Sequence, residues 1–295
     1  MSASPSPGRA SGSVAPWLGA VAGLQVLHLL AVATSLQDAH RLSLTGDVAG
    51  WAVGLLAVAG TLAATLAFAP GDYLRRVWGL LTLGALLSLV STALRSYWLH
   101  AVPGVPFVDS PLLPVRMVVV VLANVSTTFA LVLLARTYRQ SGLEPPPSSR
   151  ATLLWAVAAV CALAVGGPAL VTAMGHLGRG FAATCTAVIA LASTLADMTT
   201  ILLVAPILRV AYMLRGGRLA WVWWAMGVSG AVWLVYDARE WLAMVLPGTP
   251  NDVVELLRTL RTSGLAMLGL AGWLQRSALA ASQRESRARV AVPTA

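Results

Sequence analysis

Residues 221–246 read WVWWAMGVSGAVWLVYDAREWLAMVL. Apolar and aromatic side chains fill most of the run, which is long enough to cross a hydrocarbon layer of about 30 Å as one α-helix. Yet Asp237, Arg239 and Glu240 place charges at three of four consecutive positions. A segment with the length of a membrane span and charges inside it decides the fold class and raises the functional question together.

The rest of the chain has the same character. It is 58% hydrophobic and 11% charged, with a mean hydropathy of +0.77. Soluble domains carry about 25% charged residues, so too little polar surface is present to cover a soluble globule. The chain reads as an all-α integral membrane protein, because a backbone in lipid must satisfy its own hydrogen bonds and the runs are too long for barrel strands. The apolar runs predict about eight spans, at 17–36, 50–69, 78–101, 112–135, 151–174, 184–208, 221–245 and 251–274. Turn chemistry separates them: Ala69-Pro70-Gly71-Asp72, Pro145-Pro146-Pro147, Arg215-Gly216-Gly217-Arg218 and Leu246-Pro247-Gly248. Ser110-Pro111 and Thr249-Pro250 fit helix starts, where a proline's missing N–H costs nothing. Residues 1–16 are Ser/Pro/Gly-rich and predicted disordered, residues 17–275 form the membrane domain, and 276–295 read as a disordered basic tail.

All 20 basic residues are arginine. With no lysine a retinal Schiff base cannot form, which excludes a retinal protein. The arginines are strongly sided. Arg9, Arg75, Arg76, Arg136, Arg139, Arg150, Arg209, Arg215, Arg218, Arg276, Arg284, Arg287 and Arg289 fall on one side of an eight-span topology, against Arg41 and Arg179 on the other. The positive-inside rule then predicts both termini in the cytoplasm and a location in a bacterial inner membrane. An alternative takes 17–33, ending in Ala31-Val32-Ala33, as a signal peptide. Cleavage there would leave seven spans and spoil the charge bias, so the first span is read as retained.

The basic balance forms no stripe on a soluble domain and predicts no nucleic-acid partner. Membrane lipids are the expected partners, with a separate signalling protein for a sensory role. Cys161 and Cys185 both fall in apolar segments, and the four histidines show no ligand spacing. No metal or cofactor is predicted. Gly227-Val228-Ser229-Gly230 resembles the GxSG motif of rhomboid intramembrane proteases. All four histidines precede Ser229, however, so the later base that activates such a serine is missing. No catalytic constellation is found.

Residues 75–99 align without a gap on 218–242, with Arg75, Trp78, Gly84, Trp98 and Leu99 falling on Arg218, Trp221, Gly227, Trp241 and Leu242. This faint repeat suggests two four-helix halves in parallel orientation, 17–135 and 151–275.

Ionisable side chains at bilayer depth are costly and are functional candidates by default. On one continuous helix Asp237, Glu240, Tyr236 and Arg239 share a flank, opposite Leu234, Ala238, Leu242 and Val245. On the return helix Glu255, Arg258 and Arg261 lie near one face, at matching distances from the Gly248 turn. The spacing predicts a polar network of Asp237, Arg239, Glu240, Glu255, Arg258 and Arg261 in the outer half of the bilayer. It is either internal glue between two helices or a ligand pocket. Arg95 and Arg116 flank the outer hairpin of the first half, where an arginine-rich cavity would favour an anion or lipid headgroup. Asp197 lies mid-span with Ser193, Thr194 and Thr200 on its face.

The run from Asp197 through Val204-Ala205-Pro206, Arg215-Gly216-Gly217-Arg218-Leu219, Trp221 and Gly227 to Asp237 resembles the multi-pass membrane input modules of bacterial sensory proteins. Such modules are often joined to histidine kinase or diguanylate cyclase domains. The resemblance implies a sensory or regulatory module. It departs from the pattern in having only about 20 residues after the last span, too few for either output domain. A secondary transporter of a small solute or ion is the alternative, and a membrane-embedded enzyme is the least favoured reading.

Overall fold

Nearly every apolar run becomes a helix. The computed structural model describes residues 14–140, 149–213, 218–248 and 250–290, with side chains except at 138–140, 151, 205–213, 218, 240 and 285–290. The expected breaks at Pro145-Pro146-Pro147 and Arg215-Gly216-Gly217, Thr249, and most of the 1–16 stretch lie outside the described residues. The described elements are α1 (Ala15–Ser35), α2 (Ala39–Ala67), α3 (Tyr73–Ala101), α4 (Leu113–Gln140), α5 (Ser149–His176), α6 (Phe181–Met213), α7 (Arg218–Asp237), α8 (Arg239–Val245) and α9 (Pro250–Val290). A short 3-10 helix, Phe107–Asp109, precedes α4. No strand occurs among the described residues. The protein is an all-α, multi-pass membrane protein.

Seven helices, α1 to α7, are long and apolar enough to cross a membrane. The eighth expected span lies within α9, which continues as helix to Val290, through residues read from sequence as a disordered tail. Its membrane-depth portion is less apolar because neighbours, not lipid, surround it. Leu265, Ala266, Leu268, Leu270, Ala271 and Leu274 are all buried. A helix sheltered by protein does not need to be apolar all round.

Packing closes six helices into a ring: α2 lies beside α3, α3 beside α4, α4 beside α6, α6 beside α7, α7 beside α9, and α9 beside α2. Three ring helices come from each half of the chain. α1 lies outside against α9 and α2, and α5 outside against α6. The two outer helices bury only 11% of their apolar windows, against 44% for α3 and α7. Leu27, Leu30, Leu154 and Leu163 on them face outward, suited to lipid.

Lipid removes the hydrophobic drive for helix association, so small residues and close backbone approach carry it. A Cβ on Gly60 would stand 2.1 Å from the Gly269 carbonyl oxygen, and one on Gly272 2.2 Å from that of Gly60. α2 and α9 therefore touch backbone to backbone. Ser229 of the GxSG-like stretch donates to the Gly264 carbonyl of α9 at 2.8 Å, and a Cβ on Gly230 would meet Thr200 Cγ2 at 2.7 Å. That stretch is a packing surface. The half of the ring near the chain termini is filled by buried Phe68, Trp78, Leu81, Leu131, Val222 and Trp223.

Helix starts follow their acids. Asp38 accepts the backbone N–H groups of His40 and Arg41 at 3.1 Å each and opens α2 well before the expected residue 50. The Arg41 N–H chiefly holds this exposed carboxyl below the ordinary carboxylate range. Asp72 caps α3 in the same way, after Gly71 at φ +89° turns the chain.

Candidate functional site

The half of the ring far from the chain termini is built differently. The run quoted at the outset is not one helix. α7 stops at Asp237, Ala238 takes φ −83° and ψ 3°, and α8 starts at Arg239. Neither Gly nor Pro causes the interruption. A break of this kind frees carbonyls that must find other donors in a membrane. The Arg239 guanidinium supplies one, donating from Nη1 to the Tyr236 carbonyl at 3.0 Å while lying 4.4 Å from the Tyr236 ring centroid.

Asp237, the last residue of α7, accepts from the Thr194 hydroxyl of α6 at 3.2 Å. Asp197 lies three residues after Thr194 on α6, and its Oδ2 is buried with no hydrogen-bond partner among the described residues. Asn124 of α4 joins the same seam, donating to Ser193 of α6 at 3.2 Å.

Asp237 thus faces α6, and Arg258 ion-pairs with Glu255 one turn away on its own helix. The expected meeting of Asp237 with Arg258 across the hairpin does not form, because Asp237 lies on the α6 side of α7, against Thr194, while Arg258 is held by Glu255 on its own helix. The Glu240 side chain lies outside the described residues.

Sequence reasoning placed Asp47 in a loop. The early start of α2 sets it two turns inside, where it is 4% exposed. It accepts from Ser96 Oγ at 2.8 Å and lies 3.1 Å from His100 Nε2 and 3.7 Å from Arg95 Nη1. The cue was Asp38 as a helix-capping acid, which moves the α2 start upstream. The acid paired with Arg95 is therefore Asp47.

Four cationic side chains enter the interior of the ring. Arg116 of α4 donates to Ser91 Oγ of α3 at 3.2 Å and lies 5.3 Å from the Phe107 ring centroid. It is within electrostatic reach of Tyr236, Arg261, Arg95 and Arg239. Arg95 is likewise within reach of Arg261, Arg258 and Tyr236. Neither α4 with α9 nor α3 with α7 are ring neighbours, so these groups act on one another across the ring. Arg261 sits at Gly50 of α2, where a Cβ would stand 2.9 Å from its Nη2 and 3.4 Å from Thr92 Cγ2. Arg95, Arg116, Tyr236, Arg239 and Arg261 are all half-buried. Together these partly accessible groups form the polar end of the ring, its vestibule.

Beside it, α1 is tied to α9. Thr262 Oγ1 lies 2.8 Å from His28 Nδ1, and Ser263 donates to Gln25 Oε1 at 2.8 Å. Among the described residues no three His, Cys, Asp or Glu side chains converge as metal ligands would. The chemistry of this end rests on guanidinium groups, hydroxyls and carboxyls. No family model, curated protein or solved structure matches this chain.

Proposed function

We propose that the protein is a sensory or regulatory membrane module. A ligand enters the polar vestibule from the outer side, and the change is read on the cytoplasmic side, with a separate signalling protein as recipient. One observation carries the reading. α9 is a single helix of 41 residues that bears Arg258 and Arg261 near one end and runs past the apolar bundle at the other. At about 1.5 Å per residue it is roughly twice as long as a hydrocarbon core is thick. A rigid helix with one end in the vestibule and the other beyond the bundle can carry a displacement between them.

A transporter of a small solute or ion is the second reading. The interrupted α7–α8 segment, with Asp237 at its break and Asp197 inside α6, favours it, since discontinuous helices and intramembrane acids build many transport sites.

Reconstitution separates the two. Spin labels at Leu66 and Gln283, with Cys161 and Cys185 replaced by Ala, should report a changed α2–α9 distance when candidate solutes are added, with no flux in proteoliposomes. Solute or proton flux abolished by Asp197→Asn and Asp237→Asn would replace the sensory reading by the transporter.

A further inference from the structure

We infer that the vestibule holds an oxoanion, the phosphate or carboxylate group of a small solute or a lipid headgroup, between Arg116, Arg261 and the Tyr236 hydroxyl, with Arg95 at its edge. The inference deepens the ligand-binding reading above and rests on it for the location of the site.

Positive charge at this end exceeds the negative charge paired with it. Arg258 is matched by Glu255, and Arg95 by Asp47. Arg239 lies beside Asp237. Among the described side chains Arg116 and Arg261 remain. Arg116 has a serine and a phenylalanine as its close partners, neither of them charged. Arg261 has no carboxylate partner among the described residues. Ser91, which Arg116 touches, is next on α3 to Thr92, which borders the same Gly50 position as the Arg261 guanidinium. Two cations are therefore held around one turn of one helix, inside a protein within a low-dielectric membrane. Like charges so placed repel strongly unless a counter-charge lies between them.

The residues present are suited to supply that counter-charge's seat. Guanidinium groups present paired N–H donors that match two oxygens of a carboxylate or phosphate. The half-burial of Arg116, Arg261 and Tyr236 leaves donor surface uncovered toward the lumen. Tyr236, whose ring lies 4.4 Å from the Arg239 guanidinium, adds a hydroxyl group at the same end of the ring. Gly50 is part of the design, since a side chain there would occupy the place of the Arg261 guanidinium.

The test uses the full chain in nanodiscs of phosphatidylcholine alone, titrated calorimetrically with inorganic phosphate. Saturable binding is expected, weakened about tenfold or more by Arg116→Gln or Arg261→Gln, the loss of one charge-assisted hydrogen bond. Gly50→Ala keeps every charge, displaces Arg261, and should weaken binding as well. Arg179→Gln, at an exposed position, should leave it unchanged. Discs containing phosphatidylglycerol, analysed by native mass spectrometry, distinguish the source. Phosphatidylglycerol retained by the unmodified chain and lost from the Arg116→Gln and Arg261→Gln variants, without phosphate binding, identifies a lipid headgroup. Absence of both, or binding indifferent to both arginine substitutions, overturns the oxoanion site. Binding without any change in the α2–α9 distance would keep the site and overturn the sensory reading instead.

Discussion

The two ends of the six-helix ring solve opposite problems. Near the chain termini, α2 and α9 meet backbone to backbone at Gly60, Gly269 and Gly272, and large apolar side chains fill the interior. At the far end the same helices carry Asp47, Gly50 and Arg261, and the interior is lined by charged, half-buried groups. One end leaves no room for an added methyl group. The other keeps room by spending glycine on a guanidinium instead of on a neighbouring backbone. The difference separates what holds the bundle from what the bundle holds.

Substitutions at glycine test that contrast most sharply. Gly60→Val places side-chain atoms within the opposing carbonyl of Gly269 and should cost about 3 kcal/mol or more, enough to lose the folded protein or lower its melting temperature steeply in detergent. Gly50→Ala meets only the far end of a flexible arginine and should cost less than about 1 kcal/mol. Equal losses at both sites would erase the distinction between the ends.

Next come the acids of the polar end. Asp47→Ala strips Ser96, Arg95 and His100 of their shared acceptor and should cost about 1–3 kcal/mol. The lower part of that range applies because the Arg95 and His100 side chains are 36% and 53% exposed, and water replaces part of what they lose. Asp197→Asn should cost under about 1 kcal/mol, because an amide keeps the shape of the side chain and removes a buried ionisable group. Thermal unfolding of the two variants side by side checks the order. An Asp197→Asn loss exceeding that of Asp47→Ala would show that the Asp197 carboxyl holds a partner an amide cannot.

The smallest effect belongs to the exposed cap. Asp38→Ala should leave the melting temperature nearly unchanged and speed amide exchange at His40 and Arg41. In the unmodified chain this cap's contribution is present above the ordinary carboxyl range, because the folded carboxyl titrates lower than the unfolded one. It is lost as pH falls through that lowered value. Exchange at these two amides insensitive to acid would remove Asp38 as the helix start.

Much of the architecture was legible because charge-poor runs of about 20 residues leave few alternatives to membrane helices. Turn residues at Pro70-Gly71 and Pro247-Gly248 marked their ends correctly. The order of helices around the ring was not legible. Periodicity shows which face of α6 carries Asp197, but not that α7 covers it. The polar segment was read in part. Asp237, Arg239 and Arg261 were found by their charge, whereas the break at Ala238 has no Gly or Pro to announce it. Asp47 was missed because a polar stretch, Thr45-Gly46-Asp47, resembles a loop until Asp38 is recognised as the cap that starts the helix before it.

The buried position of α9 has a consequence for how the protein is made. A segment carrying Asp252, Glu255, Arg258 and Arg261 in its first three turns is a poor substrate for partitioning into lipid on its own. It is also made after α1 to α8. It therefore enters the bilayer by joining α2 and α7, already in place, by docking instead of independent insertion.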